Sequence, residues 1–314
     1  MNEKKYFTKN VCSATIHSMQ YYMYCKTIFE KCEVIVMKFK IVGDSCTDFT
    51  RKDIQKDYFV SVPLTIDVDG YEIVDDENFD QADFLKRVDA YEGCPKSACP
   101  SPECYRKSFE DAEEVYVVTL SSQLSGSYNS AELAKRMYQE EHPEVKIHVF
   151  DSKSASGGQL LLAHLIEEYA TGGMGFDDIV EKVSAVRDSM QTLFVLESLE
   201  ALRKNGRLTG VKALMASALN VKPYLRGDDG NIVQIGQARG MKKAIGKMID
   251  YVGETGHNLA EKVLIVSHCN CKERAKDLEL ELLARYPFKK SMIIDTRGIS
   301  TLYASDGGVI VAIG

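Results

Sequence analysis

From residue 37 onward, short β-branched runs alternate with longer amphipathic stretches, and this alternation leaves few folds open to the chain. Strands separated by helices pair in parallel, so the first half is expected to be an α/β unit with a parallel sheet. Phe39–Val42 is its first strand. Tyr58–Ile66 is expected as a second, at an edge because Pro63 cannot donate to a ladder, with a turn at Asp69-Gly70. Val115–Leu120 and Val145–Phe150 read as further strands. Helices are expected from Asp80 or Gln81 to Ala90, over Glu103–Ala112 behind Pro102, and after Val115–Leu120 as far as Glu141. Leu160–Ala170 is apolar on most faces, so it should be a buried helix stopped at Gly172-Gly173. Asp177 or Asp178 is expected to cap the helix that runs to Met190.

Past residue 193 the pattern changes. Leu193–Leu196 reads as a strand, helices are expected at Ser198–Lys204 and Val211–Leu219 on either side of the turn Asn205-Gly206-Arg207, and Asp228-Asp229-Gly230 signals a hairpin between Val221–Leu225 and Ile232–Ala238. Val263–Ser267, Ser291–Thr296 and Gly308–Ile313 supply more strands, with a helix at Lys272–Tyr286. The fold class is α/β in two domains: a parallel Rossmann-like domain at 37–192 and a second α/β domain with a mostly antiparallel sheet at 193–314. Residues 1–36 are rich in Tyr, Cys and Lys and weak in periodicity, so they read as a separate leader, with translation expected to start at Met37.

The 314 residues are 45% hydrophobic and 27% charged, with a net charge of −7. That balance suits a globular protein and disfavours nucleic acid and anionic membrane surfaces as partners. No apolar run approaches the ~20 residues needed to cross a bilayer, and the first residues lack the apolar centre of a secretory signal, so a cytoplasmic location without stable membrane insertion is expected. The nine cysteines show no metal or disulfide spacing and read as reduced thiols. No metal or cofactor is expected. His164 reads as a core residue and His268 as structural, while His142, His148 and His257 read as surface residues.

Three strand ends in the first half lead into hydroxyl-rich turns: Asp44-Ser45-Cys46-Thr47-Asp48, the run Ser121 to Ser127, and Asp151 to Gly158. In a parallel sheet all three fall along one edge, in the crevice where ligands of such folds bind. Ser121, Ser122, Ser125 and Ser127 at a helix N-terminus could simply cap it, but one cap needs one hydroxyl and this turn supplies four, which suits a neutral cradle for an anion. Lys96–Pro102 adds a fourth hydroxyl-bearing loop. The crevice has no G-x-S-x-G elbow, P-loop or dinucleotide turn. The residues therefore point to binding before catalysis, with Asp44 and Asp48 able to orient neighbouring hydroxyls.

Taken in order, Asp44–Asp48, Lys96–Pro102, Ser121–Ala131, Asp151-Ser152, Leu199–Leu208, Lys222-Pro223 and Ala238–Ala244 resemble the DegV family, the fatty-acid-binding subunits of bacterial fatty acid kinase. The resemblance implies a carrier that breaks no bond itself and presents a bound long-chain fatty acid to a separate ATP-dependent kinase subunit for acyl phosphate formation. It implies head-group binding by Ser125, Gly126 and Ser97 and kinase contact by Arg207; the strand-end turns themselves add Ser122 to the head-group site, with Asp44, Ser45 and Thr47 in support. Two departures stand out. The family's Thr-Ser-Gln-Pro-Ser is here Ser97-Ala98-Cys99-Pro100-Ser101, and the histidine often found before a C-terminal Gly-Pro-Gly is replaced within Tyr303–Gly308. Tyr303 or Ser305 could stand in for it, whereas Asp306 beside a fatty carboxylate would repel it. Two other functions remain open on the residues: a phosphotransferase or hydrolase using Asp44 or Ser125, and a non-lipid interaction module.

Overall fold

The computed structural model describes residues 38–208 and 220–314. The leader at 1–36 and the helix expected at Val211–Leu219 lie outside the described residues. In chain order the strands are β1 (Phe39–Asp44), β2 (Phe59–Val62), β3 (Thr65–Val68), β4 (Tyr71–Val74), β5 (Lys96–Ala98), β6 (Glu114–Thr119) and β7 (Lys146–Asp151), followed by β8 (Gln191–Val195), β9 (Val221–Asp228), β10 (Asn231–Arg239), β11 (Val263–His268), β12 (Lys290–Asp295) and β13 (Val309–Ile313). The helices are α1 (Gln81–Ala90), α2 (Pro102–Ser108), α3 (Ser127–Glu141), α4 (Gly157–Thr171), α5 (Phe176–Ser189), α6 (Glu200–Lys204), α7 (Met241–Thr255), α8 (Lys272–Arg285) and α9 (Gly298–Ala304).

Four strands form the expected parallel sheet in the order β2-β1-β6-β7. Alternate residues of its strands face opposite layers. Val115 and Val117 pack with Ala131, Ala134 and Tyr138 of α3, while Tyr116 and Val118 pack with Leu160, Ala163 and Ile166 of α4. With both faces covered, all six residues of β6 are buried, as a parallel strand requires.

The second sheet runs β10-β9-β8-β13-β11-β12, antiparallel throughout except for the β11–β12 pair. One of its faces carries α7 and α8 through Met248, Ile249, Leu278 and Leu282. Its other face meets α4, where Ile265 and Ala312 join the same apolar cluster as Leu160 and Leu161. Helix α4 is therefore packed from two sides, which explains its apolar character on most faces. Each buried leucine there contributes about 1.5–3 kcal/mol.

Several local expectations need correction. Tyr58–Ile66 breaks at Pro63 into β2, which is the edge of the parallel sheet, and β3, the centre of a separate antiparallel sheet β4-β3-β5. Proline removes the N–H that would carry one ladder through this point. Helix α2 ends at Ser108 rather than Ala112. Neither Asp177 nor Asp178 caps α5: Gly175 is the N-cap residue and both aspartates lie in the first turn, where they favour the helix dipole. Asp80 does cap α1, accepting from the N–H groups of Ala82 and Asp83. Among the described residues no helix is long and apolar enough to cross a membrane.

Candidate functional site

Strand β1 delivers Asp44 to the carboxyl edge of the parallel sheet, and a short 3-10 turn, Ser45–Thr47, follows it. Asp44 is fully buried. One oxygen accepts from Leu120 N–H (2.7 Å) and Ser127 Oγ (2.6 Å), and the other accepts from Gln159 Nε2 (2.9 Å). These donors come from the end of β6, the start of α3 and the start of α4, so one carboxylate ties the junctions together. Burial pushes its pKa up, against the lowering by Ser127, Gln159 and Leu120. Thr47 also accepts from Gln159 Nε2 (3.1 Å), and Ser45 Oγ accepts from Leu64 N–H (3.1 Å).

The four serines of the second junction divide their work. Ser121 Oγ donates to Gly230 O (2.8 Å), on the β9–β10 turn, and Ser122 places both its N–H and its hydroxyl on Asp151. Ser125 Oγ accepts from Ser127 N–H (3.2 Å), an ordinary local turn bond. Ser127 Oγ joins Tyr105 OH (2.7 Å) as well as Asp44. Gly126 lies against the Lys96–Pro102 loop, since a Cβ built on it would be 3.1 Å from Cys99 Sγ. Part of that loop is β5, a three-residue strand. Its Ser97 Oγ meets Tyr303 OH at 2.9 Å.

Tyr303 belongs to α9, and two buried carboxylates fix the start of that helix. Asp75 accepts from the N–H groups of Gly298 (2.8 Å) and Ile299 (2.9 Å), and Asp48 accepts from Arg297 N–H (2.7 Å) and Ser156 Oγ (2.5 Å). Burial raises Asp48 to about 7, offset in part by these hydrogen bonds. Tyr303 is also raised, chiefly by burial, so its hydroxyl stays neutral.

Helix α9, the turns after β1, β6 and β7, and one face of the second sheet enclose an apolar cavity. Leu120, Leu124, Phe194, Leu196, Leu202 and Ile232 form much of its wall. That mostly apolar lining with a few polar groups is typical of a small-molecule site. Cys46 also faces it, as a thiol raised well above its ordinary pKa by burial. At one side Arg207 and Tyr303 form a polar rim, the guanidinium lying 5.7 Å from the Tyr303 ring centre. Arg207 is half-buried and donates to Leu124 O (3.2 Å) and Asn205 O (2.6 Å). Asp306 does not line the cavity. It is exposed and accepts from Asn270 (3.0 Å), so the repulsion expected from it has no basis in the geometry.

Of the sequence candidates, Arg207 lines the cavity, Ser97 reaches it through its bond to Tyr303, and Ser125 and Gly126 are not among the lining residues, while Asp44, Ser45 and Thr47 are buried at the edge of the parallel sheet. Ser122 is directed to Asp151 instead. Sequence reading missed the wall from the second half, although Thr192, Phe194 and Leu196 alternate as one face of a strand should. His148 is half-buried, not a surface residue: it packs 4.4 Å from the Phe150 ring, and burial lowers its pKa to about 4. His164 Nε2 meets Asp53 at 3.0 Å, and His268 is buried beside Asp295. Among the described residues one group of potential metal ligands comes close together, Asp53, His164 and Glu167, and Glu167 is already paired with Lys56 and Tyr58.

A family model described as "Uncharacterised protein, DegV family" matches residues 38–313. A DegV domain-containing protein of Streptococcus pneumoniae strain R6 is 34% identical over 278 residues, which span 88% of this chain and 98% of that protein. Among solved structures, a DegV family protein from Ruminococcus gnavus, refined with vaccenic acid, is 46% identical with a TM-score of 0.85, the match covering 88% of this chain and 99% of that one. The Streptococcus pneumoniae Fatty Acid Kinase (Fak) B3 protein loaded with linoleic acid is 33% identical over the same shares, with a TM-score of 0.82. Family match, end-to-end relatives and shared architecture agree, and the chain belongs to the DegV family.

Proposed function

We propose that this chain is a fatty-acid-binding carrier that holds a long-chain fatty acid between its two domains, 37–192 and 193–314, and presents it to a separate ATP-dependent kinase subunit for acyl phosphate formation. The observation that carries this reading is the apolar cavity, whose lining includes Arg207 and Tyr303. A fatty acid gains ~0.8 kcal/mol per buried methylene, so about a dozen methylenes supply on the order of 10 kcal/mol before ordering costs. The tail supplies affinity and the rim supplies orientation. Relatives solved with vaccenic and linoleic acids support the ligand class.

In this reading the carboxylate lies at Ser97, Tyr303, Ser125 and Gly126, where neutral hydroxyls and N–H groups at the start of α3 accommodate first an acid and then its acyl phosphate. Tyr303 takes the place of the family's histidine. Arg207, at the same rim, meets the kinase. Binding is favoured over turnover because Asp44 is filled by three donors and Ser125 has no basic partner among the described residues. A cytoplasmic setting suits such a partnership.

The test combines lipid-loaded chain, ATP and a fatty acid kinase ATP-dependent subunit, trapping acyl phosphate with hydroxylamine. Product that requires both proteins supports the proposal. Product from the isolated chain, or none from the loaded pair, contradicts it.

A further inference from the structure

The apolar cavity has a neighbour. A second pocket, lined by charged groups including Arg187, Asp188 and Asp229, shares three wall residues with it: Lys153, Thr192 and Gly227. These three residues are the partition between a greasy compartment and a polar one.

The partition is thin and specifically built. Lys153 stands in the left-handed region (φ 52°), and its ammonium pairs with Asp229 (2.7 Å) on the β9–β10 turn and Asp188 (3.3 Å) at the end of α5. Such a backbone conformation is uncommon for a residue other than glycine. Gly227 brings no side chain, and a Cβ there would lie 3.7 Å from both Lys153 O and Thr192 Cβ, in ordinary contact. Thr192 Oγ1 is occupied by Ser154 Oγ (2.7 Å). The lysine's methylene stem can close an apolar space while its charged end remains in the polar one.

Its position relative to the rim follows from β8. Thr192, Phe194 and Leu196 all face the cavity, and at ~3.3 Å per residue the first and last are about 13 Å apart. Beyond Leu196 the chain continues through Leu202 to Arg207 at the rim. Lys153, Thr192 and Gly227 therefore close the end remote from Arg207 and Tyr303.

We infer that Lys153, Thr192 and Gly227 are the stop that sets how long a hydrocarbon tail the cavity accepts, with the Lys153 ion pairs holding the stop shut. The inference rests on the carrier function and on the head group lying at the Ser97–Tyr303 rim. Asp229 is largely exposed, so the pair adds little to the stability of the fold as a whole, and its removal should free the lysine stem without unfolding the chain.

The experiment delipidates the wild-type chain and its Lys153→Ala, Asp229→Asn and Gly227→Val variants, offers each an equimolar mixture of straight-chain fatty acids of graded length, and weighs what is retained by mass spectrometry. Lys153→Ala and Asp229→Asn should shift retention to longer acids and Gly227→Val to shorter ones, each methylene gained or lost changing relative occupancy about fourfold. Melting curves identify a variant that has lost its fold, and Lys153→Ala decides the question if Gly227→Val does. The same length profile in wild type and Lys153→Ala overturns the inference, and so does a uniform loss of every length in Lys153→Ala, which would place the carboxylate at this end. Wild-type chain that retains no fatty acid at all overturns the carrier function itself.

Discussion

Ser97 and Tyr303 are 206 positions apart in the chain, yet their hydroxyls meet at 2.9 Å. The bond joins the small three-stranded sheet to α9 beside the apolar cavity that Tyr303 lines. It also puts two neutral hydroxyls where the resemblance to DegV proteins implies a threonine and a histidine.

Removing these hydroxyls should weaken fatty-acid binding. A hydrogen bond to a charged group contributes ~1.5–3 kcal/mol, so Tyr303→Phe and Ser97→Ala are each expected to lower affinity by roughly tenfold or more. Isothermal titration with a long-chain acid measures this. Unchanged affinity in both variants would move the head group elsewhere.

Ser125 serves its turn as well as the proposed site. Its Oγ accepts from Ser127 N–H, so Ser125→Ala is expected to cost about 1 kcal/mol, the net worth of one hydrogen bond, in denaturant unfolding. Combined with Ser97→Ala it should also reduce ligand occupancy, while Ser122→Ala, which loses only the Asp151 interaction, should leave occupancy at the wild-type level.

Asp48 makes stability depend on pH. Its carboxyl titrates at about 7 in the folded chain against an ordinary 3.8, so between those values the folded state keeps a proton that the unfolded state has released. Stability from this group is highest below the lower value and falls as pH rises through the window, by up to about 1.4 kcal/mol per pH unit, then stays level. His148, lowered to about 4 by burial, acts with the opposite sign between that value and 6.5. Asp48→Asn keeps an acceptor for Arg297 N–H and leaves His148 untouched. The difference between wild-type and Asp48→Asn melting curves across this range should therefore show the Asp48 slope alone, and a flat difference would refute the assignment.

Arg207 separates binding from presentation. Arg207→Ala is expected to retain bound fatty acid near wild-type occupancy while acyl phosphate formation with the kinase subunit falls at least tenfold, on the ~1.5–3 kcal/mol scale of charged hydrogen bonds. Equal loss in both assays would make it a head-group residue only.

The parts of this fold visible in the sequence are those with local causes. Asp80 caps α1, Gly172 ends α4, and Asp228-Asp229-Gly230 turns the β9–β10 hairpin because each effect acts within a few residues. The convergence of Asp44, the serine turn and Asp151 was legible because parallel strands all end on one edge. Features that depend on distant partners were not. Nothing local tells that Pro63 divides two sheets, that Lys96–Ala98 pairs with β3, or that Asp44 rather than a ligand takes the Ser127 hydroxyl. The far wall of the cavity was hidden for the same reason: Lys153, Thr192 and Gly227 come from three segments that meet only after the second sheet has docked.

The most direct test of the central claim is mass spectrometry of lipid extracted from the purified native chain, with the protein quantified alongside. The carrier function requires a long-chain fatty acid at close to one per chain, displaced in parallel by Tyr303→Phe and Ser97→Ala. A cavity that yields no lipid, and takes up none when fatty acid is supplied, would contradict it.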